Sequence, residues 1–204
     1  MLFRSRLTKP DGARAVLMDA DAAQKTPEFV AVARALRSCG VHAPEIFAAS
    51  APQGLVLMED LAGPTFGKKL DAGEAPLPLY RRGVEVLAAV HGRFSAAMTA
   101  PPCPALPRFD AALFAEQAGL FLENYVPAAF GTEANEADRA GFSAAWRAAL
   151  AFVEASPQSL LLRDYMPDNL IACADGTTGV LDFQDAGLGP VAYDLASLAE
   201  EVRR

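Results

Sequence analysis

The sequence predicts an α+β fold in two unequal parts, a strand-rich small lobe over residues 1–61 and a helix-rich larger one over 62–204. Three observations carry this. The first third sets short apolar runs beside a single helical repeat. The middle, from about residue 76 to 154, carries apolar residues at helical spacing. Short apolar runs then return between 159 and 183, without the strict strand–helix alternation of a doubly wound sheet.

Taken in order, Ala15-Val-Leu-Met18 reads as a strand. Thr26-Pro-Glu28 reads as a helix start, with Thr26 as N-cap, Pro27 in the first turn and an acid near the positive end of the dipole. Phe29, Val32, Ala33 and Leu36 follow at helical spacing, and Gly40 stops the run. Strands are expected over Glu45–Ala49 and Gly54–Met58. Pro76–Ala97 reads as a helix with Leu79, Val84, Leu87 and Val90 on or near its apolar side, and the prolines of Thr99–Pro107 impose an extended connection. Asp110 caps a helix carrying Leu113, Phe114, Phe121 and Leu122. Another helix, Glu133–Glu154, is expected to bury Phe142, Trp146, Leu150 and Val153. Strands at Ser159–Leu162, Asn169–Cys173 and Thr178–Phe183 precede a closing helix over Tyr193–Val202.

Composition excludes several classes. The chain is 52% hydrophobic and 21% charged, a globular profile. Its net charge of −7 disfavours a nucleic-acid partner. No apolar run reaches the ~18–20 residues of a bilayer span. Met1-Leu-Phe-Arg-Ser-Arg6 lacks a signal-peptide core, so a cytoplasmic location without a membrane partner is expected. Cys39, Cys103 and Cys173 are odd in number and widely spaced, and only His42 and His91 stand beside them. Neither a disulfide framework nor a zinc site is expected. Gly63-Pro-Thr-Phe-Gly67-Lys68-Lys69 is no phosphate-cradling P-loop, because only three residues separate the glycines where four are needed, a second Lys stands in place of Ser or Thr, and Pro64 removes an N–H; it reads as a solvated turn. His91 reads as a satisfied, partly buried imidazole, and Cys173 as a small core residue.

The chemistry concentrates in Leu160-Leu-Leu-Arg163-Asp164-Tyr-Met-Pro-Asp168-Asn169-Leu-Ile and in Val180-Leu-Asp182-Phe-Gln-Asp185. Polar groups there interrupt apolar strands at their ends, where a site is held rigidly. Asp175-Gly176 signals a hairpin. A two-residue turn would set Asn169 opposite Asp182, an amide oxygen beside a carboxylate, both hard donors suited to Mg²⁺. Taken singly, Asp164 and Asp168 suit turn and cap positions, Asn169 a turn and Asp182 a strand end. Taken together, Asp-x₄-Asn, an apolar strand, an Asp-Gly turn, a second apolar strand and Asp-Phe point to metal-assisted phosphoryl transfer.

Arg163-Asp164-x₄-Asn169 resembles the catalytic loop of the protein-kinase-like superfamily, and Asp182-Phe183 its metal-binding segment. The string Leu181-Asp182-Phe-Gln-Asp-Ala-Gly-Leu-Gly-Pro-Val-Ala-Tyr-Asp194-Leu-Ala-Ser-Leu resembles the aminoglycoside phosphotransferase-like family, in particular its bacterial anomeric kinases for N-acetylmuramate and N-acetylglucosamine. Val16-Leu-Met-Asp19, Phe29 to Ile46, and Gly54-Leu-Val-Leu-Met-Glu59-Asp60-Leu61 match the family's third strand, lobe helix and interlobe hinge. The resemblance implies a two-lobe kinase-like fold hinged at 58–61, with ATP and Mg²⁺ as cofactors and a small-molecule sugar as substrate. Asp164 would be the catalytic base, Asn169 and Asp182 the metal ligands, and Glu59, Asp60 and Leu61 the nucleotide-binding hinge. Asp194 would buttress the catalytic loop. Arg163 is open between structural support and a phosphate contact.

Departures from the family pattern accompany the matches. Leu162 stands where an anchoring His is usual, and Met18 stands at or near the place of the phosphate-pairing Lys. The usual helix Glu partner falls near Phe29, with Glu28 one position away. Segments covering the phosphates and the acceptor are expected before Ala15 and after Asp194. The chain therefore reads as the middle of a longer protein, truncated at both ends and a poor kinase alone. Choline and aminoglycoside acceptors, and an incomplete or non-catalytic kinase-like domain, stay open. So does the oligomeric state.

Overall fold

Two Asp-Gly pairs close two hairpins with the same loop. The computed structural model describes residues 3–20, 25–99 and 105–200, so Cys103 and Val202 lie outside the described residues. In the first hairpin Lys9 N donates to the Ala13 carbonyl at 2.8 Å and Gly12 N to the Lys9 carbonyl at 2.9 Å. In the second, Cys173 N donates to Thr177 and Gly176 N to Cys173, both at 3.1 Å. Gly12 and Gly176 both have φ +85°, the left-handed conformation that closes a three-residue loop. In each hairpin the loop Asp accepts the N–H two residues on, at 2.9 Å.

The first hairpin joins β1 (Phe3–Thr8) to β2 (Arg14–Asp19). With β3 (Ile46–Ser50) and β4 (Leu55–Glu59) they form an antiparallel sheet in the order β1-β2-β4-β3. Strand periodicity puts Met18, Val56 and Met58 on the inner face, where α1 (Thr26–Ser38) buries Phe29, Val32 and Leu36 in the same core. Lys25, not Thr26, occupies the N-cap position. The Thr26 hydroxyl lies inside the first turn, buried and without a hydrogen-bond partner among the described residues. Gly40, at φ +78°, ends the helix region as the sequence suggests.

The remainder is mainly helical. The segment expected to be a solvated turn is instead α2 (Phe66–Asp71), capped by Thr65 Oγ1 on Lys68 N at 3.1 Å, with Phe66 buried. α3 (Pro76–Arg93) buries Leu79, Leu87 and Val90, whereas Val84 faces outward. His91 on α3 leaves a buried Nε2 without a partner among the described residues, contrary to the expected satisfied imidazole. Asp110 caps α4 (Ala111–Leu120) as expected, by accepting from Leu113 N at 2.9 Å. A single π turn, Phe121–Tyr125, leads into α5 (Val126–Phe130). α6 (Glu136–Ala149) begins after an Asn135 cap and buries none of its residues. Phe142 and Trp146 were expected in the core, but α6 packs mainly on α4, leaving Phe142 half-buried and Trp146 exposed.

β5 (Gln158–Leu161) pairs antiparallel with β8 (Gly187–Pro190), and β6 (Leu170–Ala172) with β7 (Thr178–Val180). α7 (Ala192–Ala199) returns against α3, where a Cβ on Gly83 would come within 2.9 Å of the buried Leu198 side chain. β8 and β1 are short strands that the apolar pattern does not announce.

Candidate active site

The loop between β5 and β6 carries Arg163, Asp164 and Asn169, and three anchors fix it. Asp194, 1% exposed on α7, accepts Leu162 N at 2.7 Å and Arg163 N at 2.9 Å, one on each carboxylate oxygen. The buried Tyr165 donates its hydroxyl to the Gly83 carbonyl at 2.7 Å, tying the loop to α3. Asn169 Nδ2 donates to the Asp164 carbonyl at 2.8 Å and closes the loop on itself. Leu162 carries no polar side chain, so Asp194 and Tyr165 supply the anchorage. The aromatic residue after Asp164 is the sequence signal for the second anchor.

Asn169 also fixes the neighbouring hairpin, since its carbonyl accepts Leu181 N at 2.9 Å. The register differs by one residue from a two-residue turn. Leu170 faces Val180 and Ala172 faces Thr178, because the loop holds Ala174, Asp175 and Gly176. Asn169 is thus opposite Leu181, and Asp182 is the next residue. Asp182 adopts φ 62°, a left-handed conformation that Asp tolerates better than most side chains and that ends the strand there. Gln184 Nε2 reaches its Oδ1 at 3.4 Å. Phe183, fully buried, stacks on Phe29 of α1 with centroids 4.8 Å apart and planes 9° apart. Lys25, just before α1, pairs with Asp185 at 2.9 Å.

Asp164 lies close enough to Asp182 and Asp185 to feel both charges. Burial first, then those two carboxylates, push its pKa above the usual carboxylate value, while Arg163 pulls the other way. Arg163 itself has φ 73°, and its guanidinium lies 5.3 Å over the Phe109 ring, a packing position. Burial outweighs two hydrogen bonds at Asp194 and raises its pKa to about 6.

A cleft of about 300 Å³ opens where β4 passes into the helical part. Val16, Met58 and Leu61 give it apolar walls, and Asp60 and Asp182 lie at its edge. Glu59 also lines the cleft, but its carboxylate is engaged by His42 Nε2 and Glu45 N, each at 3.1 Å. Its backbone N–H is spent on the Glu45 carbonyl at 2.9 Å. Of the three residues expected to form a hinge, Asp60 and Leu61 therefore have the freer backbone. Asp60 pairs with Arg6 at 3.1 Å and accepts Ala62 N at 3.2 Å. His42 also meets Thr177 Oγ1 at 2.6 Å, and its carbonyl accepts Val180 N at 3.0 Å, so one residue clamps the sheet to the second hairpin.

The donors that could hold a cation are Asn169 and Asp182. The Asn169 amide nitrogen is committed to Asp164, which turns the oxygen of that amide into the available donor, and Asp182 adds a carboxylate. Two hard oxygen donors on adjoining backbone fit Mg²⁺. His42, Cys173 and Asp175 also gather within 4.8 Å, a cluster that spacing does not reveal. There both ring nitrogens and the Asp175 Oδ1 already have hydrogen-bond partners.

A small antiparallel sheet with one helix, an apolar cleft at its hinge, and an Asp-x₄-Asn loop beside an Asp-Phe hairpin define a kinase-like phosphotransferase fold. The chain belongs to the phosphotransferase enzyme family, whose model matches residues 3–204. An N-acetylmuramate/N-acetylglucosamine kinase from Pseudomonas putida is 34% identical over 187 residues, covering 91% of this chain and 52% of the relative. One from Caulobacter vibrioides is 32% identical over 196 residues, covering 90% and 52%. The chain spans about half the length of the curated relatives it matches. Among solved structures, a choline/ethanolamine kinase family protein from Mesorhizobium loti superposes with a TM-score of 0.65 at 19% identity, covering 98% of this chain and 64% of that one. A choline kinase from Streptococcus pneumoniae gives 0.66 at 13%, covering 98% and 66%. At these identities the likeness is one of fold. Among the described residues, no helix is long and apolar enough to cross a membrane.

Proposed function

We propose that this chain carries the nucleotide and catalytic site of an ATP-dependent kinase that phosphorylates the anomeric hydroxyl of N-acetylmuramate or N-acetylglucosamine. The observation that carries the kinase reading is the loop in which Asp194, Tyr165 and Asn169 fix Asp164 beside Asp182. The sugar rests on the relatives' names.

In this reading the adenine enters the cleft between Val16, Met58 and Leu61, against the backbone of Asp60 and Leu61. A Mg²⁺ on Asn169 and Asp182 would neutralise charge on the phosphates. Asp164 holds the acceptor hydroxyl by its proton and aligns the oxygen with the terminal phosphorus. The new bond joins that oxygen to phosphorus, the bond from phosphorus to the β-bridging oxygen breaks, and ADP leaves with the electron pair. Asp164 takes the proton. Burial and the neighbouring carboxylates make Asp164 a stronger proton acceptor than an exposed aspartate. ATP supply places such an enzyme in the cytoplasm.

The test is product analysis with the protein as its gene encodes it, offered Mg·ATP and a panel of N-acetylglucosamine, N-acetylmuramate, choline and an aminoglycoside. An acid-labile sugar 1-phosphate is expected. An acid-stable 6-phosphate, or transfer confined to choline or the aminoglycoside, contradicts the sugar assignment, and no transfer to any acceptor contradicts the kinase reading.

A further inference from the structure

We propose that Lys25 is the cation that receives the phosphate chain of the nucleotide; this rests on the nucleotide reading above and adds a residue to it. A triphosphate approaching Asp164, Asp182 and Asp185 meets three carboxylates, so the site needs a positive side chain of its own beside any metal. Met18 on β2 is uncharged and 4% exposed, packed into the core. Arg163 is stacked on Phe109. Arg82 donates to the Gly176 and Thr177 carbonyls at 3.0 and 2.6 Å. Arg37 donates to the Ala43 carbonyl at 3.0 Å, and Arg6 pairs with Asp60 on the hinge side of the cleft.

Lys25 is placed differently. Its Nζ lies 2.9 Å from Asp185 Oδ1, three residues beyond Asp182. The Phe29–Phe183 stack holds α1 against the same segment, so the lysine sits over the Asp182–Asp185 turn by construction. The positive end of the α1 dipole lies beside it. The pair is 48% and 38% exposed, and an ion pair at that exposure contributes little. Lys25 can therefore leave Asp185 for a phosphate of higher charge, with the flexible stem of a lysine to follow it. The Lys25–Asp185 pair is the resting position of a phosphate-binding residue.

Binding of ATP, ADP and adenosine, each with Mg²⁺, should be measured by calorimetry on the parent, Lys25→Met, Lys25→Gln, Lys25→Arg and Asp185→Asn, with thermal melts as a folding control. Loss of a charged hydrogen bond corresponds to ~10–100-fold in affinity. Lys25→Met and Lys25→Gln should weaken ATP by about that factor, weaken ADP less and leave adenosine unchanged. Lys25→Arg should stay within a few-fold of the parent. Asp185→Asn, which releases the lysine, should keep or tighten ATP. Unchanged ATP binding in both neutral variants overturns the proposal. So does an equal loss in Asp185→Asn, which would make the ion pair a brace only. A parent that binds neither ATP nor adenosine overturns the nucleotide reading itself.

Discussion

The 162–169 loop and the outer face of α4 to α6 are built in opposite ways. In the loop, directional hydrogen bonds decide the geometry: two to Asp194, one from Tyr165 and one from Asn169, with Leu162 and Tyr165 each about 2% exposed or less. On the helical face, apolar rings meet at the surface. Phe121 stacks on Tyr125 at 5.0 Å and on Phe142 at 6.0 Å, and Phe130 is 71% exposed. An apolar groove of about 500 Å³ runs beside it, between Phe114, Trp146, Phe152 and Tyr193. Hydrophobic burial is non-directional and leaves many arrangements close in energy, whereas hydrogen bonds in a buried loop leave few. A catalytic carboxylate needs the second kind of support.

The largest effect should come from the loop's own carboxylate. Asp164→Asn should lower kcat by ~10²–10⁴-fold while the melting temperature stays within a few degrees of the parent. Turnover within a few-fold of the parent would remove Asp164 from the chemistry. Asp194→Ala should act on stability instead. It strands one buried and one half-buried N–H group, at a cost of about 2–5 kcal/mol in denaturant unfolding. A change below about 0.5 kcal/mol would mean the loop holds without it.

Protonation sharpens the same point. Asp194 titrates at about 6 in the folded chain against an ordinary value of 3.8, so the folded state binds this proton more tightly than the unfolded one. Its contribution is therefore fully present below about pH 4, fades as pH rises through about 6, and is flat above. The span is on the order of 3 kcal/mol. The difference in unfolding free energy between the parent and Asp194→Asn, followed from pH 4 to 8, should change with that sign and level off near neutrality. A difference that does not vary with pH would show an Asp194 of ordinary acidity. At the far end of the scale, Phe130→Ser and Phe152→Ser should each shift stability by no more than about 0.5 kcal/mol. A loss of several kcal/mol in either would make the aromatic face a structural element rather than a loose one.

The spacing of the candidate site was far more legible in the sequence than the packing around it. Asp164, Asn169 and Asp182 stand at fixed separations in a loop and a hairpin, and local spacing survives folding. The register did not, because Asp-Gly serves both two- and three-residue loops and only the φ of Gly176 distinguishes them. The same loop at Asp11-Gly12 closes a first hairpin that the sequence reading does not anticipate, because β1 alternates charged and apolar residues too weakly to stand out. Periodicity showed that Phe142 and Trp146 share a helix face. It could not show that α6 has little beyond α4 to bury them against. Contacts between distant residues, such as Lys25 with Asp185, Tyr165 with Gly83 and His42 with Glu59 and Thr177, leave no trace at the level of spacing.

The claim that the loop and hairpin form one phosphoryl-transfer site is tested most directly by Mg·ATP binding to the parent, Asp164→Asn and Asp182→Ala, measured side by side by calorimetry. Asp164→Asn should bind within a few-fold of the parent, since in the proposed reading Asp164 addresses the acceptor, while Asp182→Ala should bind at least ~10-fold more weakly and lose its response to added Mg²⁺. Equal affinities in the parent and Asp182→Ala, with the Mg²⁺ response intact, would contradict the account.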